Sequence, residues 1–157
     1  MKKIKVVIIL LFSFILVGCG SKNSITGDTF ASKMTEMNYS IKDVLSNYDY
    51  AVSAYNAYKD EVSVFFLKGK KKYDVEGIFI DEYQNLFSEV GENYDKKLSS
   101  GKTWTSLMLK TDEKVYYISW ISDSYIIIKA PKNKTIEVED AEEALQKISE
   151  TKFSCFC

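Results

Sequence analysis

The sequence predicts an α+β fold: an antiparallel sheet of about six strands with about three helices packed on one of its faces. Three observations carry that expectation. Short segments of alternating apolar and polar residues, rich in Val, Ile, Tyr, Phe and Trp, are separated by tight, turn-like clusters. Longer segments instead repeat their apolar residues every three to four positions, the period of a helix with one buried face. Composition supplies the core: 46% of the 157 residues are hydrophobic and 14% aromatic, too apolar for a disordered chain.

The elements follow in order. Thr26 can cap a first helix, with Ile25 before it stapled to Phe30. Phe30, Met34 and Met37 share one face of that helix, and Asn38 tolerates the left-handed stop. Residues 39–44 read as a short strand and 45–50 as a loop. Residues 51–58 and 62–68 read as a hairpin turning at 59–61. After the lysine-rich loop 69–72, Asp74 is the expected cap of a second helix. Its apolar stripe is Val75, Phe79, Tyr83, Leu86 and Val90, and Gly91 ends it. Residues 92–102 are polar and read as irregular. Residues 103–110, 115–121 and 125–130 form a meander that Pro131 terminates. A last helix over 138–149 carries Val138, Ala141, Leu145 and Ile148, with acidic residues in its first turn as the helix dipole favours. Each half reads helix and then three strands, which fits a duplicated αβββ unit.

Three helices about 10 Å apart cover one face of a six-strand sheet about 29 Å wide, leaving the second face open. Alternation puts Leu107, Leu109, Ile118, Trp120, Ile126 and Ile128 on the covered face. It puts Trp104, Ser106, Met108, Tyr117, Ser119, Tyr125, Ile127, Lys129, Ser63 and Phe65 on the open one. Aromatic, hydroxyl and cationic side chains together suit a binding surface. The expected anchors are Trp104, Tyr117 and Tyr125, with Lys129 adding polarity.

The chain ends carry the clearest signal. Residues 1–5 are cationic, residues 6–17 hold no charge, and Leu16-Val17-Gly18-Cys19 follows. The apolar run is shorter than the roughly 20 residues of a permanent span, and its small-residue end suits a secretory signal. The tetrapeptide resembles the lipobox of bacterial lipoprotein precursors, and the short tether and strand-rich body are similar to small lipoproteins of Gram-positive bacteria. That resemblance implies a signal peptide at 1–18 and a diacylglyceryl thioether on Cys19. It also implies a tether to residue 25 and one extracytoplasmic domain over 26–157. It further implies a location on the outer face of the cell membrane, and it brings no catalytic residue with it.

Composition narrows the chemistry. All 21 basic residues are lysine, and the chain has neither histidine nor arginine. Histidine-dependent nucleophiles, imidazole metal ligands and arginine phosphate forks are therefore excluded. Beyond residue 18, 18 basic side chains face 22 acidic ones, a net charge of −4 that argues against a nucleic-acid partner. No cofactor or metal is expected: Cys155 and Cys157 cannot fill a tetrahedral site alone, and no loop follows the calcium-binding pattern. Lys68, Lys70, Lys71 and Lys72 form the densest charge cluster, readable as a solvated loop or as a contact for anionic headgroups.

The expected function is therefore non-catalytic binding of an envelope protein or polymer by a membrane-anchored lipoprotein. The alternatives are a small cell-wall hydrolase or transferase using carboxylates, and an immunity or inhibitor lipoprotein.

Overall fold

The computed structural model describes residues 21–150. Cys19, Cys155 and Cys157 lie outside the described residues, so the lipidation expectation and the cysteine tail do too. Among the described residues, no helix is long and apolar enough to cross a membrane.

Three α-helices and seven strands follow in the order α1 (Gly27–Glu36), β1 (Ser40–Asp43), β2 (Ala51–Lys59), β3 (Val62–Gly69), α2 (Lys72–Val90), β4 (Asp95–Gly101), β5 (Trp104–Lys110), β6 (Lys114–Ile121), β7 (Ser124–Pro131) and α3 (Thr135–Ser149). One-turn 3-10 helices at Leu45–Asn47 and Lys132–Lys134 join β1 to β2 and β7 to α3. All strand pairs are antiparallel, in the order β1-β2-β3-β7-β6-β5-β4. Two meanders thus meet where β3 pairs with β7. The sheet has seven strands rather than six, because residues 95–101, expected to be irregular, pair along β5 from Asp95↔Lys110 to Gly101↔Trp104.

The helix signals act as their chemistry dictates, with one exception. The Thr26 side chain accepts the Thr29 amide at 3.2 Å and caps α1. Asn38 takes the left-handed conformation at φ 64°, and Gly91 ends α2 at φ 69°, ψ −145°, a region open to glycine alone. Asp74 is not a cap. It lies inside the first turn of α2, where its charge complements the helix dipole, and Lys71 holds the cap position without a side-chain bond.

The helices do not share one face. Phe30 and Met34 of α1 and Val138, Ala141 and Leu145 of α3 pack with Ala57, Val64, Phe66, Trp104, Met108, Tyr117, Ile126 and Ile128. Val75, Phe79 and Leu86 of α2 pack with Leu67, Leu107, Leu109, Ile118, Trp120, Tyr125 and Ile127 on the opposite side. Both sides of the sheet are therefore core, and the open face expected from the sequence does not exist. The duplicated unit also fails geometrically. Strands β1–β3 are answered by β5–β7 about the β3–β7 pair with β4 left over, but a two-fold axis normal to the sheet there would keep α1 and α2 on one face, and they lie on opposite faces.

A polar knot ties the incoming chain to the sheet. Lys68 Nζ donates to both Asp123 carboxylate oxygens at 2.9 Å and to Ser24 Oγ, which itself donates to Asp123. Ser124 Oγ donates to the Ile25 carbonyl at 3.0 Å and accepts the Ile25 amide at 3.2 Å. Asp123→Ala leaves the half-buried Lys68 ammonium without its counter-charge and is expected to cost about 1–2 kcal/mol. Faster hydrogen exchange at the Ile25 amide, with the core amides of β6 unchanged relative to the global loss, would check it.

Candidate functional site

The residues singled out from the sequence separate. Trp104 and Tyr117 lie on the side of α1 and α3, 7% and 1% exposed, while Tyr125 lies under α2 and is 2% exposed. Lys129 is on the same side as Tyr125 but exposed, and its Nζ donates to Glu82 Oε1 of α2 at 2.9 Å. The four therefore form no single surface. The cause is register: Tyr117 pairs with Ile128 and Ile118 with Ile127, so β7 presents its even-numbered residues to the face where β6 presents its odd ones.

What the fold builds instead is a cleft. On the α1/α3 side, α3 reaches Trp104 and Met108 of β5 but leaves β4 largely exposed. The trough between α3 and those strands has a volume of about 740 Å³. Its helix wall is a row on one face of α3, Glu139, Glu142, Glu143, Gln146 and Lys147, continued by Glu150 just past the helix end. Its strand wall comprises Asp95, Lys96, Lys97, Met108 and Lys110. A bridge from Lys110 Nζ to Glu139 Oε1, 2.6 Å long, spans the cleft at one end. Toward the other end, Lys22 Nζ donates to Gln146 Oε1 at 2.9 Å and stands 4.1 Å from the centre of the Trp104 ring. Gln146 Nε2 in turn donates to Glu142 Oε1 at 2.8 Å.

Burial sets the protonation behaviour here. It pushes the Glu142 carboxyl up from the ordinary carboxylate range, with Glu139 adding to the rise while Lys97 and Lys22 oppose it. It pulls the Lys22 ammonium down, against the attraction of Glu150 and Glu142. Beneath the cleft, burial raises the Tyr117 phenol far above its usual range, though hydrogen bonds to Ser119, Gln146 and Ser106 offset part of this. None of the four sequence-selected residues lines the cleft: Tyr117 meets it only through Gln146, and Trp104 only through Lys22, which bonds to Gln146. The lining itself was missed. Its one legible trace is the spacing of Glu139, Glu142, Glu143 and Gln146 at i, i+3, i+4 and i+7, which reads equally as an ordinary solvated helix face.

The arrangement can hold a ligand carrying both charge signs, since lysines and carboxylates alternate around an apolar spot at Met108. Beside it runs β4, an edge strand whose outer backbone groups have no neighbouring strand in the sheet. Among the described residues, no three Asp, Glu or Cys side chains converge as a metal site.

No protein-family model matches the chain, and no curated protein matches it either. Among solved structures, the crystal structure of a GTP binding regulator from Thermotoga maritima is similar at 14% sequence identity and a TM-score of 0.49. The match covers 83% of this chain and 92% of that one. At that distance the likeness bears on neither ligand nor chemistry.

Proposed function

We propose that the protein is a lipid-anchored, extracytoplasmic binding module, held to the membrane through diacylglyceryl-Cys19, whose ligand lies in the cleft between α3 and the β4–β5 edge. The observation that carries the binding site is that trough of about 740 Å³, lined by charges of both signs, on a domain whose sheet faces are otherwise filled by core. The sequence excludes imidazole chemistry, and the alternating charges suit an envelope protein segment or polymer bearing amines and carboxylates. An extended ligand would also find the free edge of β4, where main-chain pairing supplies affinity and side-chain contacts supply selectivity.

A second reading has one observation in its favour. Glu142, with its carboxyl raised by burial and Glu139 nearby, is the kind of group a carboxylate hydrolase uses as its acid. Glu142→Gln separates the two. A binding module keeps its affinity within about threefold, because the amide fills the same space in a cleft where several charges share the contact. An acid catalyst would lose about a hundredfold or more in rate. The direct test is a titration of residues 20–157 against fractionated envelope material, followed by amide shifts. Shifts clustered at Lys97, Lys110, Glu142 and Gln146 are expected. A saturable ligand whose shifts fall elsewhere would remove the cleft from the proposal.

A further inference from the structure

We infer that one end of the sheet is a membrane-contact surface for anionic phospholipid headgroups, an inference that rests on the anchored reading above. The described chain enters at this end. Lys22 N donates to Thr103 Oγ1 at 2.9 Å, which fixes the incoming segment to the β4–β5 turn. From there a line of backbone bonds crosses the end of the sheet. Ser122 N donates to Thr103 O at 2.8 Å, Gly69 N to Asp123 O at 2.8 Å and Lys70 N to Tyr50 O at 2.9 Å. The β4–β5 turn, the β6–β7 turn, the β3–α2 loop and the segment before β2 thus form one continuous rim. Lys22 follows Cys19 by three positions, a reach of about 10 Å, so an acylated Cys19 brings this rim against the bilayer.

The rim is chemically suited to that position. Lys70, Lys71, Lys72 and Lys102 are exposed on it. So are Tyr50, Val52 and Tyr73, which are 40%, 52% and 63% exposed and belong to the small set of exposed large apolar side chains. Lysines between tyrosines are the composition of a headgroup-level surface, where the ring sits at the interface and the ammonium meets phosphate. Lys71 already stands 5.4 Å from the centre of the Tyr73 ring. Asp49 and Asp74 share the rim, but Asp123 is neutralised by Lys68. At the opposite end the hairpin turns carry Asp60-Glu61 and Asp112-Glu113 among Lys59, Lys114 and Lys132, so carboxylates and lysines balance there. An anionic bilayer therefore attracts the end that the anchor delivers to it more than the far one.

Residues 20–157 retain all seven strands and both cores, and lacking the acyl chains they test the rim independently of the anchor. Flotation at low salt with vesicles of phosphatidylglycerol and phosphatidylcholine, against phosphatidylcholine alone, is the measurement. Binding to the anionic vesicles only is expected. Each lysine near such a surface strengthens partition about fivefold, so Lys70→Gln, Lys71→Gln, Lys72→Gln together should weaken it at least tenfold. The matched removal of Lys42, Lys114 and Lys132 should leave it within about twofold, with melting curves confirming that both variants fold. Equal partition onto both vesicle types, or equal loss in the two triple variants, overturns the inference. Neither result bears on whether Cys19 is acylated, which the mass of the native chain decides.

Discussion

Tyr117→Ala is expected to lower folding stability by about 3–5 kcal/mol, the range for removing a large aromatic from a filled interior. Tyr117 is 1% exposed, packed between β5, β7 and α3, with its hydroxyl bonded to Ser119, Ser106 and Gln146. Truncation leaves a cavity and, in addition, removes the phenol from beside polar groups on two strands and a helix. Denaturant titration of residues 20–157 reads the loss as a lower midpoint at unchanged slope. Trp104→Ala should behave alike, since its ring is 7% exposed beneath Lys22. If these residues were exposed anchors, the same substitutions would change stability by at most about 0.5 kcal/mol. A two-state melt of Tyr117→Ala at wild-type midpoint would contradict the buried placement.

Alkaline titration is expected to unfold the protein steeply. Burial holds the Tyr117 and Tyr125 phenols far above the usual tyrosine range, with Glu82 adding to the rise at Tyr125. The unfolded chain releases these protons near pH 10, whereas the native state retains them. Above that pH the native state binds more protons than the unfolded one, so stability falls as pH rises. Each phenol contributes a slope of about 1.4 kcal/mol per pH unit, and the two together about 2.7. Stability between pH 7 and 9 should therefore be nearly flat with respect to these two groups and then collapse through pH 10–12. Tyr125→Phe, which removes one titrating group, should about halve the slope they supply. Tyrosine ultraviolet absorption would show phenolate from these residues appearing only with unfolding. Ionisation of every tyrosine in a still-folded chain would contradict the burial of both rings.

Those two expectations mark where sequence and structure part. Periodicity located α1, α2, α3 and most strands because each has a clear repeat of 3.6 or 2. It could not phase β7, where Tyr125-Ile126-Ile127-Ile128 is apolar on both sides; only pairing with β6 decides that Ile127 faces α2. Nor could it find β4. Asp95-Lys96-Lys97-Leu98-Ser99-Ser100 has no apolar alternation, because an edge strand half in water needs none. The stripe Val75, Phe79, Leu86 announces that α2 buries one side but not which face of the sheet receives it. That single choice, α2 opposite α1 and α3, turned an expected open surface into a second core and moved the candidate site to the groove between α3 and the β4–β5 edge. The cleft escaped notice because its lining is drawn from the polar residues of two elements far apart in sequence.

The proposed membrane anchor rests on Leu16-Val17-Gly18-Cys19, and the rim and the binding proposal take their setting from it. The most direct measurement is the intact mass of the protein extracted from its native membrane, with sequencing of its first peptide. Expected is a chain beginning at residue 19 and heavier than its sequence by a diacylglyceryl group in thioether linkage. A free thiol at Cys19, or a chain that still begins at Met1, would contradict the anchored module at its root.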